Sequence, residues 1–188
     1  ESELAGSGLT GTYYRSWRFK DATFTELDPF FRFGPRNQYD GGTGTAEWIA
    51  RLEEHDLNPK NMAVRWEGLI EPPLTEDYQF SVYLTGRAKI YIDDQLVLDS
   101  SQSQGNLNTG FSSSVSGNPK QAVGEPVRLE AAKKYPIRIE WQSVGGITER
   151  FLGYDGPMFH LHWESPTQDR LAIPTASLYP EDTDELSD

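Results

Sequence analysis

The chain has 188 residues, with 17 Lys and Arg against 29 Asp and Glu, a formal net charge of −12. An acidic balance of that size disfavours nucleic-acid backbones and anionic membranes as partners, because both repel a negative surface. Zero cysteines exclude a disulfide framework and thiolate metal sites, and no apolar run reaches the roughly 20 residues of a membrane-spanning helix. The length is that of one domain able to bury a core without staples. The start at Glu1, with no Met and no signal-like stretch, is the pattern expected of an excised or processed fragment.

Residues 1–7 are small and polar and read as a linker. Trp17, Phe19, Phe24, Phe30, Phe31 and Phe33 then crowd the first quarter. Core packing explains most of them, but adjacent Phe30 and Phe31 fall on opposite faces of any strand, so one is expected outside. Asp40–Thr45 is a polar insertion. From Ala46 to His55 the apolar residues Trp48, Ile49 and Leu52 share a helical face, with Thr45 placed to cap it and His55 at its end.

From there the pattern alternates. Met62, Val64, Trp66 and Ile70 share one face of a strand, opposite Arg65 and Glu67. Glu71-Pro72-Pro73 stops it. Tyr78, Phe80, Val82 and Leu84 repeat the rule opposite Gln79 and Ser81. Ala88–Ile92 and Leu96–Leu98 flank Asp93-Asp94-Gln95, a tight hairpin turn exposed to solvent. Ser100–Gly124, rich in Ser, Gln, Asn and Gly, reads as a long surface loop. Tyr135, Ile137, Ile139 and Trp141 alternate with Lys134, Arg138 and Glu140 until Gly145-Gly146 ends the strand. Phe159, Leu161 and Trp163 form a last set, with His160 and His162 on the opposite, wet face. Strands with one dry and one wet face favour antiparallel sheets. The expectation is an all-β antiparallel β-sandwich over residues 8–180, with one short helix in an insertion, and an acidic tail or linker over 181–188.

Few residues point to catalysis. His160 and His162, on one strand face, would need a third ligand to hold Zn²⁺, and no carboxylate or Cys adjoins them. Glu67 and Glu140 sit on wet faces and would have to oppose each other across about 5–10 Å to act as a glycosidase pair; ordinary surface charge is the simpler reading. The sequence has no Gly-x-Ser-x-Gly, and Gly41-Gly42-Thr43-Gly44 lacks the Lys-Ser/Thr of a phosphate loop. Asp40-Gly41 and Asp155-Gly156 lack the ligand spacing of a calcium loop. No enzymatic activity is expected of the chain itself.

Several segments, in order, carry a family resemblance. Gly8-Leu9-Thr10-Gly11-Thr12-Tyr13-Tyr14, Met62-Ala63-Val64-Arg65-Trp66-Glu67-Gly68, Thr75-Glu76-Asp77-Tyr78-Gln79-Phe80, Ile90-Tyr91-Ile92-Asp93-Asp94, Lys134-Tyr135-Pro136-Ile137-Arg138-Ile139-Glu140 and Leu161-His162-Trp163-Glu164-Ser165-Pro166 resemble successive strands of the PA-14 domain, named after protective antigen toxin. The resemblance implies a non-catalytic β-sandwich module of secreted glycosidases, adhesins, toxins and sensors. Its sugar-binding members hold Ca²⁺ with a neighbouring Asp-Asp pair, and a second loop completes the site.

On the resembling register the Asp-Asp-Gly of the family falls on Thr85-Gly86-Arg87, so both carboxylates are missing and a cation is added. Calcium is therefore not expected, nor any other cofactor. The second loop falls on 145–157 and carries Thr148, Glu149, Arg150, Tyr154 and Asp155. Its rings suit sugar C–H faces, and its charges suit hydroxyl pairs. The resemblance thus implies an extracellular or cell-surface carbohydrate-binding or adhesion module, monomeric in isolation, that is not calcium-dependent. Its ligand site would be Thr85, Gly86, Arg87, Thr148, Glu149, Arg150, Tyr154 and Asp155. The alternative is a structural or protein-interaction domain beside a catalytic or sensor module.

Overall fold

The computed structural model describes residues 5–33, 45–101, 120–144, 147–149 and 154–181. In chain order the elements are β1 (Leu9–Ser16), β2 (Lys20–Asp28), β3 (Arg32–Phe33), α1 (Thr45–Glu54), β4 (Asn61–Ile70), β5 (Glu76–Leu84), β6 (Arg87–Ile92), β7 (Gln95–Asp99), β8 (Lys120–Val123), β9 (Val127–Leu129), β10 (Tyr135–Val144), β11 (Ile147–Glu149), β12 (Tyr154–Gly156), β13 (Phe159–Ser165), β14 (Gln168–Ala172) and β15 (Leu178–Pro180). One sheet runs β2-β1-β4-β10-β6-β7, with β15 also on β4; the other runs β14-β13-β5-β8, with β3 on β13 and β9 on β5. All the pairs are antiparallel. The expected β-sandwich with one short helix is what forms.

The inward faces are those the alternation marks. Val64, Trp66 and Ile70 of β4, Phe80, Val82 and Leu84 of β5, Ile137, Ile139 and Trp141 of β10, and Phe159, Leu161 and Trp163 of β13 are all buried. Aromatic rings fill the space between the sheets. Trp66 stacks near Trp141 at 6.1 Å and Phe159 at 5.3 Å, and Phe33 lies parallel to Trp66 at 5.6 Å. Such pairs add about 0.5–1.5 kcal/mol each beyond their area burial. Helix α1 closes this end of the core through Trp48 and Leu52, both buried, with Trp48 at 6.0 Å from Trp141. Just past the helix, His55 stacks on Phe24 at 4.0 Å.

Other expectations are corrected. His160 and His162 are not wet: they are 2% and 6% exposed. Their strand is central in its sheet, paired with β5, β14 and β3, and a side chain of β5 leans over its outer face: Tyr83 meets His162 edge-on at 5.7 Å. The segment read as a loop from Ser100 to Gly124 ends in strand β8, which pairs with β5; residues 102–119 of it lie outside the described part. Of the early aromatics, Phe31 and Phe33 are buried, while Phe30 is 41% and Trp17 37% exposed. The Asp93-Asp94 turn has positive φ at both residues, 52° and 60°, and both are exposed, as a two-residue hairpin turn demands. The glycine runs at 41–44 and 145–146 lie outside the described residues.

Candidate functional site

Thr85 and Gly86 join β5 to β6, and the fold consumes what they offer. The Thr85 N–H donates to Met158 O, the Met158 N–H donates to Thr85 Oγ1, and Trp141 Nε1 donates to Thr85 O, each at 2.9 Å. Thr85 is 1% exposed. Gly86 has φ +79°, and a Cβ there would lie 2.1 Å from Gln142 O. Only glycine permits both the left-handed backbone and that close approach. Arg87 is exposed.

The same bonds show where the second segment lies. Met158 follows β12 by two residues, and Gln142 is near the end of β10, which leads into β11. The β11–β12 hairpin pairs Thr148 with Asp155 and Glu149 with Tyr154. The backbone at Thr85–Arg87 is therefore fastened to both ends of the segment that carries Thr148, Glu149, Tyr154 and Asp155. Arg150 lies outside the described residues. Among those described, no group of three or more His, Asp or Glu is arranged to hold a metal ion.

Of the carboxylates considered for catalysis, Glu140 is held by ion pairs. Register places Glu140 opposite Arg65, and Glu67 opposite Arg138, so the two acids are not partners across a cleft. Glu140 receives Arg65 at 3.2 Å and Arg138 at 3.3 Å. Partial burial pushes the Glu67 carboxyl above its ordinary range.

This ladder belongs to the solvent face of the seven-stranded sheet, which sequence reasoning treated as plain surface. Across it, Arg87 lies beside Gln142, Lys89 lies between Glu140 and Asp99, and Tyr91 lies beside Arg138. The β1–β2 turn, Trp17 to Phe19, leans onto the same face: Gln142 Nε2 donates to Trp17 O at 2.8 Å. Two adjoining depressions of about 310 and 290 Å³ open there, both lined by Arg87 and Gln142. No run or motif marks this groove, because its walls come from strands far apart in the chain.

Among the described residues no helix is long and apolar enough to cross a membrane. In sequence the chain is 28% identical over 178 residues to the anti-sigma-I factor RsgI3 of Acetivibrio thermocellus, a match that covers 94% of this chain and 22% of that protein. It thus spans about a fifth of the curated relative's length. In structure it is similar to an anti-sigma factor domain-containing protein (TM-score 0.66, 23% identity, 95% of this chain and 50% of the other). It is also similar to a PA14 sugar-binding domain from an RTX adhesin (TM-score 0.59, 15% identity, 94% of this chain and 99% of the other). At those identities the structural likeness speaks to fold. The PA14 domain profile matches residues 6–175, nearly the whole chain, and the chain belongs to the PA14 domain family.

Proposed function

We propose that the chain is a non-catalytic glycan-binding module of a larger protein, working at or outside the cell surface and without calcium. One observation supports it most: Thr85–Arg87 is fastened by hydrogen bonds and close backbone contact to both ends of the hairpin that carries Thr148, Glu149, Tyr154 and Asp155. A loop pinned beside a segment whose sequence supplies hydroxyl, carboxylate and aromatic groups brings together the residue types that sugar hydroxyls and C–H faces require. A sugar-binding PA14 domain shares the fold over 94% of this chain. The likeness to an anti-sigma-I factor adds a role for the binding event, in which a glycan outside the cell is the input to a regulatory protein.

A second reading is a protein-interaction domain that holds or shapes a neighbouring module. It is favoured by the commitment of the Thr85 backbone and hydroxyl to bonds inside the fold, which leaves that position little to give a sugar.

The test is a glycan array with the 188-residue chain, run once in millimolar calcium and once in chelator. Equal binding in both supports the first reading. Silence in both removes it and leaves the second.

A further inference from the structure

Strands β1 and β2 are joined by Trp17, Arg18 and Phe19. Phe19 has φ +57°, a left-handed conformation that bulky residues rarely adopt. Its ring is nonetheless held in place. The Arg65 guanidinium sits 4.7 Å from the ring centre, Tyr14 meets it edge-on at 5.6 Å, and its N–H donates to Ser16 O at 3.0 Å. Strained backbone that its surroundings maintain is a frequent mark of a working surface. Gln142, 125 positions along the chain, pins the same turn by its bond to Trp17 O.

Trp17 is 37% exposed, whereas Trp48, Trp66, Trp141 and Trp163 are 1% exposed or less. It lines the smaller depression together with Val144, which is 50% exposed. Two of the exposed large apolar side chains thus meet in one hollow. The larger depression continues over Phe19, Lys89, Asp99 and Glu140. Each is near the lower end of the range of about 300–1,000 Å³ for small-ligand sites. Aromatic and apolar groups at one end, with donors from Arg87 and Lys89 and acceptors from Asp99 and Glu140 at the other, match the two chemistries of a pyranose: C–H faces and the paired hydroxyls around its rim.

Charge selects among sugars. The lining carries two cations, Arg87 and Lys89, and two anions, Asp99 and Glu140, within a chain of net charge −12. Locally balanced charge inside a negative molecule gives a polyanionic chain no net attraction.

We propose that the groove from Trp17 to Lys89 and Asp99, on the outer face of the seven-stranded sheet, is a glycan-binding site that meets the loop end at Gly86 and Arg87, extends away from it across β6, β7 and β10, and takes an uncharged pyranose chain. Trp17 is the stacking platform, and Arg87, Lys89 and Asp99 bind hydroxyls. This rests on the reading of the chain as a glycan-binding module.

The experiment titrates the 188-residue chain with cellohexaose, xylohexaose, mannohexaose and hexagalacturonate, read by calorimetry and by acrylamide quenching of tryptophan. Trp17 is the tryptophan that quencher reaches, so its shielding reports this groove directly. A neutral hexasaccharide is expected to shield it. Trp17→Ala is expected to weaken binding by about 10-fold or more and Lys89→Ala by about 3-fold, both with unchanged Tm because both side chains are exposed. Asp169→Ala, exposed on β14 of the other sheet, is expected to leave that binding within about 2-fold. Sugar binding that Trp17→Ala leaves intact, with no shielding, overturns this site alone. Preference for hexagalacturonate with steep salt dependence overturns the uncharged ligand. Self-association that Trp17→Ala abolishes, with no sugar effect, makes the groove a contact between copies instead. Failure of the wild-type chain to bind any sugar here or on the array removes the glycan reading itself.

Discussion

Trp66 Nε1 donates to Asp28 Oδ2 at 2.7 Å inside the sandwich, and the Tyr13 hydroxyl donates to the same oxygen at 2.6 Å. Trp48 Nε1 in turn donates to the Tyr13 hydroxyl at 3.3 Å, so one carboxylate ties the edge of the first sheet to α1 and to the central strand β4. Gly11 makes room for it: a Cβ there would lie 2.6 Å from Asp28 Oδ2 and 2.9 Å from the Trp66 ring. A buried carboxylate is costly unless bonded, and this one is bonded by donors from two different strands.

Desolvation pushes Asp28 up to about 7, against the pull of its Tyr13 and Trp66 bonds, with Glu26 raising it and Arg51 lowering it further out. The folded chain therefore holds a proton that the unfolded chain releases above about pH 4. The stability that this proton contributes, a few kcal/mol, is full below about pH 4 and lost as pH rises through about 7. The wild-type Tm is expected to be several degrees higher at pH 5.5 than at pH 8. Asp28→Asn should flatten that slope. A wild-type Tm that is level across this interval, or an equal slope in the variant, contradicts the account.

At Gly86 the backbone and the space act together. Gly86→Ala meets both the φ of +79° and the 2.1 Å approach to Gln142 O, so a loss of about 2 kcal/mol or more is expected in urea unfolding. Arg87→Ala, one residue away and exposed, should change the midpoint little. Equal midpoints for the two variants would show that the loop is not held as described.

Thr85→Val keeps the shape and removes the acceptor for the Met158 N–H. Leaving that buried donor without a partner costs about 1–3 kcal/mol. Thr85→Ser keeps the hydroxyl and should recover most of it. If the valine variant is as stable as wild type, the bond to Met158 contributes nothing.

Calcium at millimolar concentration is expected to move the Tm by less than about 1 °C, since occupancy at 100 times Kd would add about 2.7 kcal/mol and several degrees. The reason is local: Thr85-Gly86 offers no carboxylate, and the Thr85 carbonyl already accepts from Trp141. A rise of several degrees, reversed by chelator, would require a metal site that this loop does not supply.

Local pattern was enough to read the strands and the layer they form. Period-two runs such as Met62–Ile70 and Tyr135–Trp141 carry their own inside and outside, because each residue's face follows from its neighbour's. The Asp93-Asp94 turn and the Trp48–Leu52 helical face were legible for the same reason: turn chemistry and helical spacing are written within a few residues. That two strands meet in a short connection near Thr85–Arg87 was legible too, though not how the Thr85 hydroxyl and carbonyl are spent.

What covers an outward face depends on the assembled fold. His160 and His162 alternate outward and are buried, because side chains from neighbouring strands lean over them, as Tyr83 of β5 does on His162. Trp17 reads like the core aromatics around it and is exposed, because its turn folds over β10 rather than between the sheets. Lys120–Val123 has no strong pattern and becomes a strand because the edge of β5 is there to receive it. The groove between Trp17 and Lys89 draws on residues from the β1–β2 turn to β10. Whether such residues meet depends on strand order and sheet twist, which are properties of the whole chain and have no local code.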